Sequence, residues 1–318
     1  MRACACVSRA LLALALTATF GSALAAPFAY VPNEKSGTIS VIDTATRRVE
    51  ATIVTGGAPR GLAASADGKR LFVSDKTANG LAVIDLEARQ VLTRIPLGES
   101  PEGVSLSPDG RWVVAAVELS NSVVFIDAAT GAVGFSIKTS GKNPEHAVFS
   151  PDGRWLYVSA EEADSVDVID VAARLEVASI KVGERPRGIG FLPDGSRAYV
   201  ACELASTVYV IDVVHRAVVA TIKTGEYANG VAVAADGKRV FVSNGRAATV
   251  SAIDPLNNQI VGNVPVGKRP WGLAVTPDNQ SVYVANGRSN SVSVIDAVSM
   301  QIRETVPVGE LPWGVAIR

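Results

Sequence analysis

Two short words recur seven times at a nearly fixed interval, and that interval leaves few architectures open. An apolar-Ile-Asp word ends at Asp43, Asp85, Asp127, Asp170, Asp212, Asp254 and Asp296, in steps of 42, 42, 43, 42, 42 and 42 residues. A Gly-x-x-Pro-x-Gly word starts at Gly56, Gly98, Gly141, Gly183, Gly225, Gly267 and Gly309, in steps of 42, 43, 42, 42, 42 and 42. The single extra residue therefore lies between Asp127 and Gly141. The second word departs from its pattern twice, with Ala228 in place of Pro and His146 in place of the last Gly. Periods of 20–50 residues belong to solenoids, propellers or arrays of modules.

The content of one period chooses among these. The unit that begins at Gly56 holds four β-type runs, at residues 61–65, 71–74, 81–84 and 91–95. Asp67-Gly68 separates the first two, and Pro108-Asp109-Gly110, Pro151-Asp152-Gly153 and Pro193-Asp194-Gly195 do the same elsewhere. This is hairpin chemistry, because glycine takes positive φ at little cost. Four antiparallel strands per period predict a blade, and seven periods predict an all-β, seven-bladed β-propeller forming one domain over residues 26–318. Blades pack face to face, so strands covered on both sides can be apolar almost continuously. Small and β-branched residues in the first strand of each unit suit the crowded axis. Phe72, Tyr157, Tyr199, Phe241 and Tyr283 sit in the roomier second strand. The first word after residue 26, Phe28–Asn33, belongs to a second strand, and Leu311–Arg318 is a first strand alone. One C-terminal and three N-terminal strands are thus expected to complete a shared blade and leave no free edge.

Residues 1–25 stand apart. Arg2 and Arg9, an apolar stretch from Ala10 to Ala18, and Ala23-Leu-Ala25 have the order of a secretory signal peptide. Export to the periplasm is expected, with no membrane span in the mature chain. Cys4 and Cys6 fall in this leader, which leaves Cys202 alone and no internal disulfide. Removing Arg2 and Arg9 from the 30 basic side chains leaves 28 against 31 acidic ones, a net charge of −3. A near-neutral chain without a basic run gives nucleic acid nothing to bind.

The seven repeated aspartates look like a catalytic or metal constellation, but a residue present in every blade serves the blade. At the end of a third strand, Asp accepts from nearby turn amides. Function is sought where repeats differ. The Gly-x-x-Pro-x-Gly loops lead into the first strands and ring one mouth of the channel. Their fifth residues are Arg60, Glu102, Glu145, Arg187, Asn229, Trp271 and Trp313. The turns between second and third strands add Lys76, Glu118, Glu161, Glu162, Glu203, Arg246, Arg288, Glu34 and Lys35 on the same face. Glutamates gather in blades 2–4, whereas Tyr227, Arg246, Arg269, Trp271, Arg288 and Trp313 gather in blades 5–7, counting the blade after Gly56 as the first. Aromatic planes beside guanidinium groups suit a flat or anionic ligand. His146 brings an imidazole to this mouth, while His215 lies in a peripheral turn. No G-x-S-x-G, G-x-G-x-x-G, H-E-x-x-H or C-x-x-C-H motif is present. No catalytic residue, cofactor or metal ligand is assigned.

An aromatic-Val-x-Asn word stands at Tyr30–Asn33, Phe241–Asn244 and Tyr283–Asn286. Together with the Val-Ile-Asp and Val-Gly-x-x-Pro words, it resembles the repeat of YVTN-family β-propellers over residues 28–318. The exported seven-repeat form is similar to the propellers associated with PQQ-dependent alcohol catabolism. That resemblance implies a periplasmic setting shared with quinoprotein dehydrogenases, c-type cytochromes and a transporter, any of which is a candidate partner. Quinoprotein dehydrogenases themselves have eight blades and an adjacent Cys pair, so PQQ is not expected to bind here.

Two functions fit these residues. One is a non-catalytic propeller that binds a small molecule or a periplasmic protein at Arg60, Glu102, Glu145, His146, Arg187, Asn229, Arg246, Arg269, Trp271, Arg288 and Trp313. The other is a lactonase-like hydrolase that uses the same mouth, with Glu145-His146 as acid and base. Export itself is checked by intact mass: the leader is cut after Ala25 and the secreted protein starts at Ala26, and soluble protein that keeps residues 1–25 contradicts this.

Overall fold

The computed structural model describes Met1 and residues 27–318, so the expected leader and its cleavage site lie outside the described residues. Seven four-stranded antiparallel sheets surround an axis. The first blade comprises Pro59–Ala64, Arg70–Asp75, Gly80–Asp85 and Gln90–Pro96, ordered from the axis outward, and the next five blades repeat this plan. The seventh is shared as expected: Ala316–Ile317 is its innermost strand, followed by Phe28–Asn33, Thr38–Asp43 and Arg48–Val54. Among the described residues no helix is long and apolar enough to cross a membrane.

Each interface between neighbouring blades has its own apolar cluster. Tyr30, Ile39, Val41 and Ile53 of blade 7 pack against Leu71, Val73 and Ile84 of blade 1. On the other side, Ala29, Val31 and Ile42 meet Tyr283, Val292, Val294 and Val306 of blade 6. The ring is therefore sealed at both seams by the same packing that joins every other pair. The large second-strand aromatics Phe72, Tyr157, Tyr199, Phe241 and Tyr283 are all fully buried.

The repeated words have distinct structural duties. The Ile-Asp carboxylates accept turn amides, as Asp43 does from Ala45 and Thr46 at 2.8 Å and Asp296 from Val298 and Ser299 at 2.9 and 2.8 Å. The buried Asn33, Asn244 and Asn286 amides donate across to paired hydroxyls on the third strand, Asn286 to Ser291 and Ser293 at 3.2 and 2.9 Å. These asparagines also explain the first Gly of the loop word. A Cβ on Gly267 would stand 2.6 Å from the Asn286 side chain, and one on Gly309 2.7 Å from Asn33.

The last Gly of the word is needed because the next blade crosses over it. A Cβ on Gly61 would lie 2.3 Å from the Glu102 carbonyl, and one on Gly230 2.5 Å from that of Trp271. In blade 1, Ser74 Oγ accepts the Gly61 amide at 2.9 Å and donates to the Glu102 carbonyl at 2.6 Å, tying the two blades together. Ser243 repeats this in blade 5. In blade 3, Ser159 accepts the His146 amide at 3.0 Å.

The C-terminal strand is held by Trp313 N–H on the Pro32 carbonyl at 2.9 Å and by reciprocal bonds between Phe28 and Arg318 at 2.7 and 2.9 Å. Deleting residues 311–318 removes these bonds and opens the seam between blades 6 and 1. We expect loss of cooperative unfolding in calorimetry; a truncated protein that melts like the full chain contradicts the closure.

Candidate functional site at the channel mouth

Backbone geometry, repeated in each blade, aims the variable side chains at one place. Inner and second strands pair at the loop proline and then lose register, as between Pro59↔Asp75 and Leu62↔Val73. The inner strand therefore carries one extra residue, a β-bulge, and bulges re-aim side chains beside functional sites. The same shift follows Pro101, Pro144, Pro186, Ala228 and Pro270. It turns the fifth residue of the word into the mouth.

The residue before the proline adds a second tier. Ser100, Asn143, Arg185, Tyr227, Arg269 and Leu311 all have φ between 54° and 62°, in the left-handed region that non-glycine residues rarely occupy. In all seven blades the carbonyl at this position accepts the N–H of the first residue in the turn between second and third strands. Examples are Glu118 to Ser100 at 3.0 Å and Glu203 to Arg185 at 2.8 Å. Loop and turn are thus locked together, and the first turn residue becomes a third tier.

A cavity of roughly 390 Å³ results, with walls drawn from all seven blades. Of the residues singled out from the sequence, Arg60, Glu145, His146, Arg187, Asn229, Arg269, Trp271 and Trp313 line it, and Glu102 lies buried behind Arg60. Glu34, Lys76, Glu118, Glu161 and Glu162 reach it from the turns. Asn143 and Arg185 also line it; neither was anticipated, although their place just before the proline is the signal that finds them.

Arg246 and Arg288 do not belong to the site, which corrects the sequence expectation. The turn position that faces the mouth is Gly245 in blade 5 and Gly287 in blade 6, and each arginine follows one residue later, exposed on the rim. Arg246 pairs there with Glu226 at 3.4 Å, both largely exposed. The space left by the glycines is used by other side chains. A Cβ on Gly287 would stand 2.5 Å from the Trp271 ring, and one on Gly245 3.4 Å from the Arg269 side chain.

The expected division into an acidic half and an arginine-aromatic half also changes, because the arginines are already engaged. Arg187 binds Glu145 at 2.6 Å, Glu161 at 3.0 Å and Glu203 at 3.0 Å. Arg185 binds Glu161 at 2.5 Å, and Arg269 reaches from blade 6 to Glu203 in blade 4 at 2.5 Å. Arg60 joins Glu34 at 2.8 Å and also pairs with Glu102, which Lys76 approaches at 3.8 Å. An anionic ligand at Arg60 or Arg187 would have to compete with buried carboxylates, whereas Arg185 is engaged through Nε alone. Nor is Arg269 expendable to the fold, since its loss removes a partner from Glu203, 1% exposed.

These contacts set the protonation states. Burial works against the Glu145 carboxylate, yet Arg187 and its other neighbours hold it below the usual range. Burial keeps the His146 imidazole neutral, against the pull of Glu145. Glu102 is pushed up to about 8 by burial and by repulsion from Glu145 and Glu118, with Arg60 opposing. Burial also raises Glu161. Glu118, Glu145 and Glu161 can bring one oxygen each within 4.8 Å of one another, the grouping in the mouth best able to hold a cation.

The floor is an aromatic pair from almost opposite blades. His146 and Trp313 stack with ring centres 5.4 Å apart and planes inclined by 18°. Both also line a second cavity of roughly 140 Å³ in the bore, bounded by Gly61, Gly103, Gly188, Gly230, Gly272 and Gly314. The stack therefore lies where the mouth meets the bore. Elsewhere, His215 is exposed and bonded to Asp212 at 2.9 Å, and Cys202 is buried with its thiol pushed up to about 12 by desolvation. His215 thus sits in the peripheral turn where the sequence places it.

Fold and mouth together define a seven-bladed β-propeller with a polar chamber at one end of its channel. The sequence model of the YNCE-like β-propellers matches residues 15–107 and 94–238, which together cover more than half of the chain. The chain belongs to that family. The model described as "Lactonase, 7-bladed beta-propeller" matches residues 171–315. No curated protein matches the sequence. Among solved structures, hydrazine synthase of Kuenenia stuttgartiensis is similar at a TM-score of 0.75 and 22% identity, covering 89% of this chain and 99% of that one. A functionally unknown protein from Desulfotomaculum acetoxidans DSM 771 is similar at 0.81 and 18% identity, covering 91% and 98%. At these identities the likeness speaks for the fold alone.

The raised Glu102 gives a pH signature. The native state keeps a proton that the unfolded chain releases, so stability falls as pH rises from the ordinary value of 4.5 through about 8. Glu102→Gln should abolish this component, a difference on the order of 1–3 kcal/mol between pH 5 and pH 9 relative to wild type. Urea midpoints at the two pH values measure it; parallel losses in both proteins contradict the shift.

Proposed function

We propose that this protein is a non-catalytic binding propeller that holds a small molecule in the mouth chamber. The observation that carries this reading is the convergence of non-repeated side chains. Equivalent backbone devices in each blade deliver side chains that vary between blades to one chamber, and most charges there are held by mutual pairing. Such preorganised polar groups beside aromatic walls are the usual make-up of a ligand pocket, and the chamber lies within the common range of about 300–1,000 Å³. The YVTN-like words support the finer setting of an exported protein that serves PQQ-dependent alcohol catabolism or its transport. A partner docked on the same face would come from that setting.

The hydrolase reading draws on the lactonase match and on Glu145-His146, a carboxylate beside a neutral imidazole in a chamber. The matched residues 171–315 contain Arg187, Asn229, Trp271 and Trp313 but not that pair. Binding is therefore the better supported of the two.

A panel of benzyl alcohol, benzoate and 1,4-benzoquinone, followed by tryptophan fluorescence and melting temperature, tests the proposal. At least one compound should bind saturably, and Trp271→Ala should weaken it by about 1–3 kcal/mol while costing the fold no more than about 1 kcal/mol. Asp254→Ala, which removes a turn acceptor, should instead lower stability and leave affinity unchanged. Hydrolysis of δ-valerolactone that vanishes in His146→Ala would establish the enzyme; binding that ignores Trp271 would remove the site from the mouth.

A further inference from the structure

The charge on the ligand can be read from what the chamber leaves unpaired. Each of its arginines is paired with at least one buried carboxylate, Arg185 through Nε alone. Glu118 is different. It receives the Ser100 hydroxyl at 2.5 Å, and among the described residues no Lys, Arg or His nitrogen lies within 4.0 Å of it. Its oxygens nonetheless come within 4.8 Å of those of Glu145 and Glu161. The chamber therefore concentrates more carboxylate than its own cations satisfy.

One further group in the floor lacks a partner. His146 forms part of the floor, and its Nδ1 is shielded from solvent without a hydrogen-bond partner. A buried polar atom without a partner costs about 1–3 kcal/mol, so groups of this kind are normally satisfied by something. The three carboxylates of Glu118, Glu145 and Glu161 prefer a ligand that donates hydrogen bonds and carries positive charge.

We propose that the mouth chamber takes an organic ammonium ion with a flat or apolar body, its nitrogen set among Glu118, Glu145 and Glu161 and its body against Trp271 and Trp313. This rests on the mouth being the ligand site. Aromatic faces attract cations and apolar surface alike, which suits both ends of such a molecule. A bare divalent ion fits less well. Oxygens of Glu145 and Glu161 lie 2.6 and 3.0 Å from the Arg187 guanidinium, so a divalent ion would face about twice the repulsion that a single ammonium charge does. It would also leave the two indoles with no role.

Isothermal titration of the full propeller with benzylammonium, benzyl alcohol, benzoate and manganese(II) decides the matter. Benzylammonium should bind roughly tenfold or more tightly than benzyl alcohol. Glu118→Gln should erase that preference, Glu118→Asp should retain it, and Trp271→Ala should weaken both compounds. Melting curves confirm that each variant is folded. Equal or tighter binding of the alcohol or benzoate overturns the charge assignment, as does manganese binding that benzylammonium does not displace, or no binding of benzylammonium at all. If alcohol or quinone binding persists and depends on Trp271, the mouth remains a ligand site and only the ammonium class falls.

Discussion

Seven twisted sheets can surround a common axis only if their inner strands nearly touch, and the structure depends on how that contact is made. At Gly61, Gly103, Gly188, Gly230 and Gly272 the neighbouring blade's backbone passes within 2.3–2.7 Å of where a side chain would begin. Glycine is required there by space and not by φ, since none of these five takes the left-handed region. The serines at positions 74 and 243 convert this proximity into bonds from blade to blade. Apolar clusters then fill the widening wedges outside, one for each interface. His146 stands where this glycine is missing, and its side chain goes to the axis to meet Trp313.

The same crowding explains why the chamber is polar and rigid. Side chains delivered to the mouth lie too close together for their charges to be independent. Arg187 sits among three glutamates, and Arg269 crosses past blade 5 to reach a fourth-blade carboxylate. These pairs are largely buried, so removing one partner leaves an uncompensated charge. Left-handed backbone before the proline adds further cost, of order 1–3 kcal/mol at each such residue, offset by the surrounding strand pairing. The mouth is thus built to hold its shape without a ligand.

The architecture was legible because it is written seven times. Strand order, the shared blade and the duty of the repeat aspartates all follow from spacing and turn chemistry, and the structure agrees with each. The site was legible only in part. The fifth residue of the loop word led to Arg60, Glu145, Arg187, Asn229, Trp271 and Trp313 because position alone decides which way it faces. Arg246 and Arg288 fall outside because only one residue of each turn faces inward, and in those blades that residue is glycine. Arg185 and Asn143 needed knowledge of backbone φ. The pairing of Arg269 with Glu203 joins positions 66 residues apart in different blades, a contact that no local pattern encodes. Which charges remain free is a property of the assembled ring.

The stacked pair places a constriction in the propeller's channel. A molecule in the mouth meets His146 and Trp313 before it meets the bore. The rim is its unobstructed way out, so whatever rests on that face bears on how long it stays.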